Sequence, residues 1–259
     1  MKDEDPGIHF FPEIEAGGFS RIDSTIQFYE RISALIDPGF VLLDFGAGRG
    51  AAHWDDVVRY RRQLRDFRGR VREVIGADVD PIVTTNPTLN RAFVLQPQSP
   101  IPLPNKCVNL IISDFTFEHI ENPAHTVSEL DRILIPGGWI CIRTPNRNGY
   151  VALANQLAPE FLRMRVLRLA QPTREERDVF RPFYRLNTLK AVRRHFRPTH
   201  YEHFMYSWDA EPAYHANFKA LYRLFLIIHH LTPSSLKSLL LIYLRKKSNE
   251  NSTRMLKAK

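Results

Sequence analysis

The sequence predicts an α/β fold: a mostly parallel, doubly wound sheet with helices on both faces. Three observations point there. Short apolar runs alternate with helical patterns from Phe19 to Thr144, and parallel strands need such crossover helices between them. The first two runs each close on a carboxylate, Asp44 and Asp78. A glycine-rich turn, Phe45 to Gly50, joins the first run to the helical pattern behind it.

In chain order, residues 1–18 read as a loosely ordered arm. From Phe19 to Ile36 the apolar positions Phe19, Ile22, Ile26, Tyr29, Ile32 and Leu35/Ile36 recur at helical spacing. Asp37-Pro38-Gly39 stops that helix, and Val41 to Asp44 forms the first strand. Ala51 to Phe67 reads as one arginine-rich helix, and Val71 to Asp78 as the second strand. Pro81 opens a short helix or turn for which Asp80 is the better cap. Ala92 to Leu95 is a third strand. A proline-rich connection, QPQSPIPLPNK, leads into the fourth strand, Cys107 to Ser113. Pro123 to Leu134 is a helix with proline at its tolerated first position, and Pro136-Gly137-Gly138 turns it into a fifth strand, Trp139 to Thr144. Later come a helix over Gly149–Leu169, a charged loop over Pro172–Asp178, and a helix over Asn187–His195 capped by Asn187. A strand over Tyr201–Trp208 and a last strand over Leu239–Leu244 bring the count to seven. The final dozen residues, 248–259, read as disordered.

Composition sets the outer bounds. A chain of 259 residues with 44% hydrophobic and 25% charged residues fits one large globular domain with a substantial core. The start, MKDEDPGIHFFPEIE, is acidic and lacks an apolar run, so no signal peptide is expected. No apolar window reaches the length of a membrane span. Cys107 and Cys141 lie in strands without a C-x-x-C pairing, so they read as free thiols of a reducing compartment, with no metal site. Charge is uneven: residues 1–150 carry 16 Lys and Arg against 20 Asp and Glu, whereas residues 151–259 carry 20 against 8. The basic second half suits an anionic partner such as phosphate, a membrane surface or nucleic acid, or else forms a solvated face.

The glycine loop is the stretch with the most chemistry. Gly46, Gly48 and Gly50 run G-x-G-x-G directly after Asp44-Phe45, a spacing that lets backbone approach a ligand closely at a helix start. Asp78, 30 residues after Gly48, sits where a carboxylate accepts hydrogen bonds from both ribose hydroxyls of a nucleoside lying across the strand ends.

Four blocks then resemble class I S-adenosylmethionine-dependent methyltransferases, in the branch that includes small-molecule, quinone and glycan O-methyltransferases. They are VLLDFGAGRG, the acid-ended second strand, IPLPNKCVNLIISDFTFEHI (Ile101–Ile120) and ELDRILIPGGWICIRTPN (Glu129–Asn146). The resemblance implies a Rossmann-like seven-stranded domain over 19–247, with a cofactor core over 40–146, a helical substrate cap over about 148–186, and C-terminal helices and last strand over 187–247. It implies S-adenosyl-L-methionine as cofactor, with S-adenosyl-L-homocysteine as product and no metal. Asp44, Gly46, Ala47 and Gly48 would hold the methionine part, Asp78 the ribose, and Val79 would lie against adenine. Ser113, Asp114 and Phe115 would line the cofactor's far side near the sulfonium. The acidic residue that usually binds the adenine amine is absent, and Gln98 or Gln96 offers a side-chain carbonyl instead. Val108 and Asn109 replace a usual Phe-Asp pair and read as packing changes.

For transfer to a hydroxyl, His119 is the candidate base, just past the fourth strand; a structural histidine bonded to backbone is the alternative. His53 is a second candidate. Arg163, Arg165, Arg168, Arg174 and Arg177, with the segment FRPFYR (Phe180–Arg185), could grip a phosphate or carboxylate, stack sugars or bases, or form a plain basic surface. Ala220–Lys247 reads as a core helix and last strand, with a helix lying on an anionic membrane surface as the alternative. The expected function is therefore O-methylation of a saccharide, lipid-linked glycan or other small molecule, in the cytoplasm or peripheral to a membrane. An RNA methyltransferase or a non-catalytic cofactor-binding protein are the rivals.

Overall fold

A computed structural model describes residues 6–150, 152, 181–212 and 217–248. Its strands are β1 (Val41–Phe45), β2 (Glu73–Asp78), β3 (Arg91–Val94), β4 (Val108–Asp114), β5 (Leu134–Pro145), β6 (Tyr201–Trp208) and β7 (Leu239–Lys246). They form one sheet in the order β3-β2-β1-β4-β5-β7-β6. The first five strands are mutually parallel, while β7 runs antiparallel to both β5 and β6. Strand order reverses between β1 and β4, so the carboxyl ends of those two strands flank the crevice where such sheets bind ligands.

The helices are α1 (Pro6–Phe10), α2 (Ser24–Ser33), α3 (Ala51–Asp55), α4 (Arg59–Arg65), α5 (Pro123–Ile133), α6 (Leu189–His195) and α7 (Lys219–Leu231). Two-residue alternation along the strands divides the core between the sheet's faces. Val41, Leu43, Ile75, Ile111 and Ile142 pack on one face with Leu130 and Ile133 of α5 and Val192 of α6. Leu42, Val74, Leu110, Ile112 and Cys141 pack on the other with Ile26, Phe28, Tyr29 and Ile32 of α2 and Leu64 of α4. Continuing this alternation puts Asp44, Asp114 and Arg143, each two residues on from such a position, and Asp78, four on from Val74, on the α2 face at the strand ends.

The order of the elements from α2 to β7 follows the predicted pattern, with four local differences. The arm over 1–18 is helical from Pro6: α1 is followed by a 3-10 turn, Pro12–Ala16, and Phe10 stacks on Tyr222 at 5.3 Å. The expected helix over Ala51–Phe67 splits into α3 and α4, because the Asp56 carboxylate accepts the Val58 N–H and competes with helical pairing at the adjacent valines. The helix α6 is capped by Thr188, whose hydroxyl accepts the Ala191 N–H, rather than by Asn187. Asn187 is fully buried and donates instead to Thr144 and the Pro145 carbonyl. Asn109 is more than packing, since its side-chain carbonyl accepts the Val41 N–H at 2.8 Å and ties β4 to the start of β1. The helix expected over Gly149–Leu169, most of the cap over 148–186, and the tail beyond residue 248 lie outside the described residues.

Candidate active site

The glycine loop is shaped by what surrounds it. Gly46, Gly48 and Gly50 all adopt positive φ, at 85°, 50° and 73°, where a side chain is strained. A Cβ on Gly46 would strike the Thr116 hydroxyl, and one on Gly50 the Asn86 amide, whereas one on Gly48 would meet nothing within 4 Å. The loop is thus pinned at both ends and open in its middle. Asn86, which sequence reading missed, does much of the pinning. It is buried, donates to the Ala47 and Gly48 carbonyls at 3.0 and 3.2 Å, and is itself fixed by Thr88.

Asp78 lies beside this loop. Its Oδ2 accepts the Gly48 N–H at 2.8 Å and its Oδ1 the Asp80 N–H at 2.9 Å. Asp80 caps the following turn, accepting the Ile82 N–H. Val79 is exposed and Gln98 is exposed in the loop behind β3, with φ 58°; adenine facing these would find a surface of one apolar side chain and one amide.

Asp44 lies one residue before the end of β1, on the α2 face. Among the described residues nothing hydrogen-bonds to its carboxylate. Burial pushes its carboxyl up to about 7, and the neighbouring Asp114 and Asp78 charges push the same way. A cationic ligand placed there would favour the ionised form. The group would therefore suit a cationic part of S-adenosylmethionine, and Gly48 leaves open space beside it.

The raised value has a consequence for the bare protein. Proton uptake by folded Asp44 exceeds that of the unfolded chain between about pH 4 and pH 7. Its neutral form contributes stability below the unfolded value, and that contribution is lost as pH rises through about 7. Asp44→Asn is expected to gain on the wild type by on the order of 2 kcal/mol between pH 5 and pH 8. Thermal melts of both proteins at the two pH values check this; a difference independent of pH would contradict it.

Beyond β4 the predicted far wall resolves into different roles. Ser113 is fully buried and donates to the Phe45 carbonyl at 3.0 Å, a strut between β4 and β1 rather than an exposed wall. Asp114 is held bidentately by Arg143 at 2.7 Å and also accepts the Tyr29 hydroxyl at 3.0 Å. Phe115 takes φ 54°, an uncommon conformation for a bulky residue. It leaves the ring half-exposed with the Arg143 guanidinium 4.9 Å from its centroid.

His119 lies in a 3-10 turn, Phe117–His119, directly after β4. Its Nδ1 sits 3.2 Å from the Arg181 carbonyl, and its Nε2 is 3.9 Å from the buried Glu118 carboxylate. A carbonyl only accepts, so Nδ1 carries a proton in this contact and Nε2 is the ring nitrogen turned toward Glu118. The other Glu118 oxygen accepts the Thr144 hydroxyl at 2.9 Å, and the Asn187 amide donates to Thr144 at 2.6 Å. Asn187, Thr144 and Glu118 therefore form a buried hydrogen-bonded chain whose carboxylate lies 3.9 Å from the partly exposed imidazole. His53 by contrast is exposed, edge-on to Trp54 in α3.

From the arginine set, Arg181 and Arg185 are exposed and flank the Phe183 ring, with guanidinium carbons 5.7 and 5.5 Å from its centroid. The remaining five arginines lie outside the described residues. Among the described residues no cluster of His, Cys, Asp and Glu could hold a metal ion, and no helix is long and apolar enough to cross a membrane. Both cysteines are free.

Comparison with known proteins gives a family and a fold. Residues 19–240 match the family described as a methyltransferase domain. No curated protein matches the chain. Solved structures with this fold include the YcgJ protein from Bacillus subtilis, 15% identical, covering 86% of this chain and 99% of that chain with a TM-score of 0.53. Another is a possible histamine N-methyltransferase from Thermotoga maritima, 11% identical, with coverage of 91% and 94% and a TM-score of 0.51. A third is a geranyl diphosphate methyltransferase in complex with S-adenosylmethionine, 13% identical, with coverage of 86% and 85% and a TM-score of 0.50.

Proposed function

We propose an acceptor chemistry from one premise: the chain belongs to the methyltransferase-domain family that its residues 19–240 match, and it is an S-adenosylmethionine-dependent methyltransferase. The methyl group goes to an oxygen, on a saccharide, a lipid-linked glycan or another small molecule. What carries this reading is the orientation of His119. Its Nδ1 faces the Arg181 carbonyl, which leaves Nε2 as the basic nitrogen beside the buried Glu118 carboxylate.

When bound, S-adenosylmethionine supplies a methyl group on a positively charged sulfur. Asp44, Asp78 and the open Gly48 would hold it across the ends of β1 and β2. The His119 Nε2 would take the proton from an acceptor hydroxyl, and Glu118 would stabilise the imidazolium so formed. Thr144 and Asn187 hold Glu118 in place from behind. Arg181 and Arg185 beside Phe183 offer an aromatic face for a sugar ring and donors for a phosphate or carboxylate.

His119→Gln removes the base while keeping a side chain that can still reach the Arg181 carbonyl. The expected result is a fall in kcat of about 10²–10⁴-fold, with S-adenosylhomocysteine affinity unchanged. The measurement is transfer of labelled methyl to a panel of hydroxylated sugars, glycan lipids and phenols, each beside its deoxy analogue. Transfer that persists on deoxy analogues, or a kcat unmoved by the substitution, would overturn O-methylation with His119 as base.

A further inference from the structure

The helix α7 carries two apolar faces, and the fold uses only one. Tyr222, Phe225 and His229 point inward: Tyr222 is buried under Phe10, and Tyr150 stacks on Phe225 at 6.0 Å while its hydroxyl meets His229 at 2.8 Å. At 3.6 residues per turn, Ala220, Leu224, Ile227 and Leu231 fall on the opposite side as a single stripe. All four are exposed; Leu224, Ile227 and Leu231 retain 50%, 49% and 73% of their surface, and Phe218 at the helix start retains 67%. Surface helices ordinarily turn charge outward, so a helix with leucine and isoleucine facing water needs a reason.

Charge says which surface suits it. Lys219, Arg223 and His230 are exposed on one flank of the stripe. From Pro212 to Lys247 there is no Asp or Glu, while Lys219, Arg223, Lys237, Arg245, Lys246 and Lys247 are basic. Lys237, Arg245 and Lys246 are paired with Asp209, Glu202 and Asp131, and the cations that matter here are those of α7 itself, Lys219 and Arg223. Glu13, in the turn after α1, is paired with Arg21. An apolar ridge flanked by cations, on a helix that itself carries no acid, is complementary to a layer with negative headgroups over hydrocarbon. A protein partner of matching shape would not by itself require the bias to positive charge.

We propose that α7 docks this protein onto an anionic lipid surface, with Leu224, Ile227 and Leu231 entering the headgroup boundary and Lys219 and Arg223 meeting lipid phosphates. The helix lies in the plane of the surface. The proposal does not depend on the identity of the methyl acceptor, and its test reads binding alone.

The test is co-sedimentation of the full chain with phosphatidylcholine vesicles and with vesicles of equal parts phosphatidylcholine and phosphatidylglycerol. Wild-type protein is expected to partition onto the anionic vesicles about tenfold more strongly, with binding that weakens as salt rises. A Leu224→Ser, Ile227→Ser, Leu231→Ser variant is expected to lose about tenfold of that partition. Its melting temperature and S-adenosylhomocysteine affinity should stay as in the wild type, because all three side chains face solvent. Lys219→Ala with Arg223→Ala should reduce anionic binding and flatten the salt dependence. Wild-type protein that stays in the supernatant with both vesicles overturns the proposal, as does a serine variant that binds like the wild type. Light scattering covers the other occupant: a dimer that the serine variant converts to monomer would assign the face to a second copy of this chain instead.

Discussion

Replacing Arg143 by methionine is expected to lower the stability of the fold by about 3–5 kcal/mol, a fall in Tm of about 6–20 °C. Arg143 is 2% exposed at the end of β5. It gives Nε and Nη2 to the two Asp114 oxygens, and Nη1 to the hydroxyls of Ser24 and Thr25 at the start of α2. Tyr29, one turn further along α2, donates to the same carboxylate. The guanidinium thus ties β5, β4 and α2 together beneath the glycine loop. Burial raises the Asp114 carboxyl, but the Arg143 charge and hydrogen bonds outweigh it and hold the group below the usual value. Methionine keeps the packing and leaves an uncompensated buried carboxylate. Because the folded group titrates below its unfolded value, the pair's contribution is present above the unfolded pKa and is lost as pH falls through the folded one. The deficit should therefore shrink in acid. Arg143→Met with Asp114→Leu should recover much of the loss, since an apolar pair carries no desolvation cost. Urea unfolding of the two variants beside the wild type checks this, and an Arg143→Met protein as stable as the wild type would show that the pair holds nothing.

Asp78→Ala is expected to weaken S-adenosylhomocysteine binding by about 10²–10⁴-fold. A carboxylate that receives both ribose hydroxyls contributes roughly 1.5–3 kcal/mol per hydrogen bond, and each 1.4 kcal/mol is about tenfold. The same substitution frees the Gly48 N–H that Asp78 accepts, so the loop loses an anchor together with its ligand partner. Asp78→Asn separates the two effects. It retains one acceptor oxygen for Gly48 and loses the charge, so about tenfold weakening is expected. Loss confined to the alanine variant would assign Asp78 to the loop alone.

Much of this was readable in the chain because its signals are local. A short apolar run that ends on a carboxylate fixes the strand end at which Asp44 and Asp78 emerge. Arg143 in the apolar run Cys141–Thr144 signals a buried partner, but naming Asp114 needs the lateral register of β4 against β5, which no spacing along the chain encodes. Asn86 sits beside Pro87 in a segment that reads only as a turn, yet it reaches 38 residues back to Gly48. Thr188 and Asn187 are both good helix caps by chemistry. The choice fell to Thr188 because the buried Thr144 and the Pro145 carbonyl, distant in sequence, claim Asn187. The outward stripe of α7 was only partly legible: the segment reads as a core helix or a helix on a membrane surface, and which side faces Tyr150 and Phe10 depends on tertiary contacts.

The central claim is that the ends of β1 and β2, with the open glycine between them, form the cofactor site. Calorimetric titration of S-adenosylmethionine and S-adenosylhomocysteine into the wild-type protein tests it most directly. Micromolar one-to-one binding of both ligands, lost in Asp78→Ala protein that still melts cooperatively, is the predicted result. No heat from either ligand with folded wild-type protein would contradict the account, and the glycine loop would then need a different occupant.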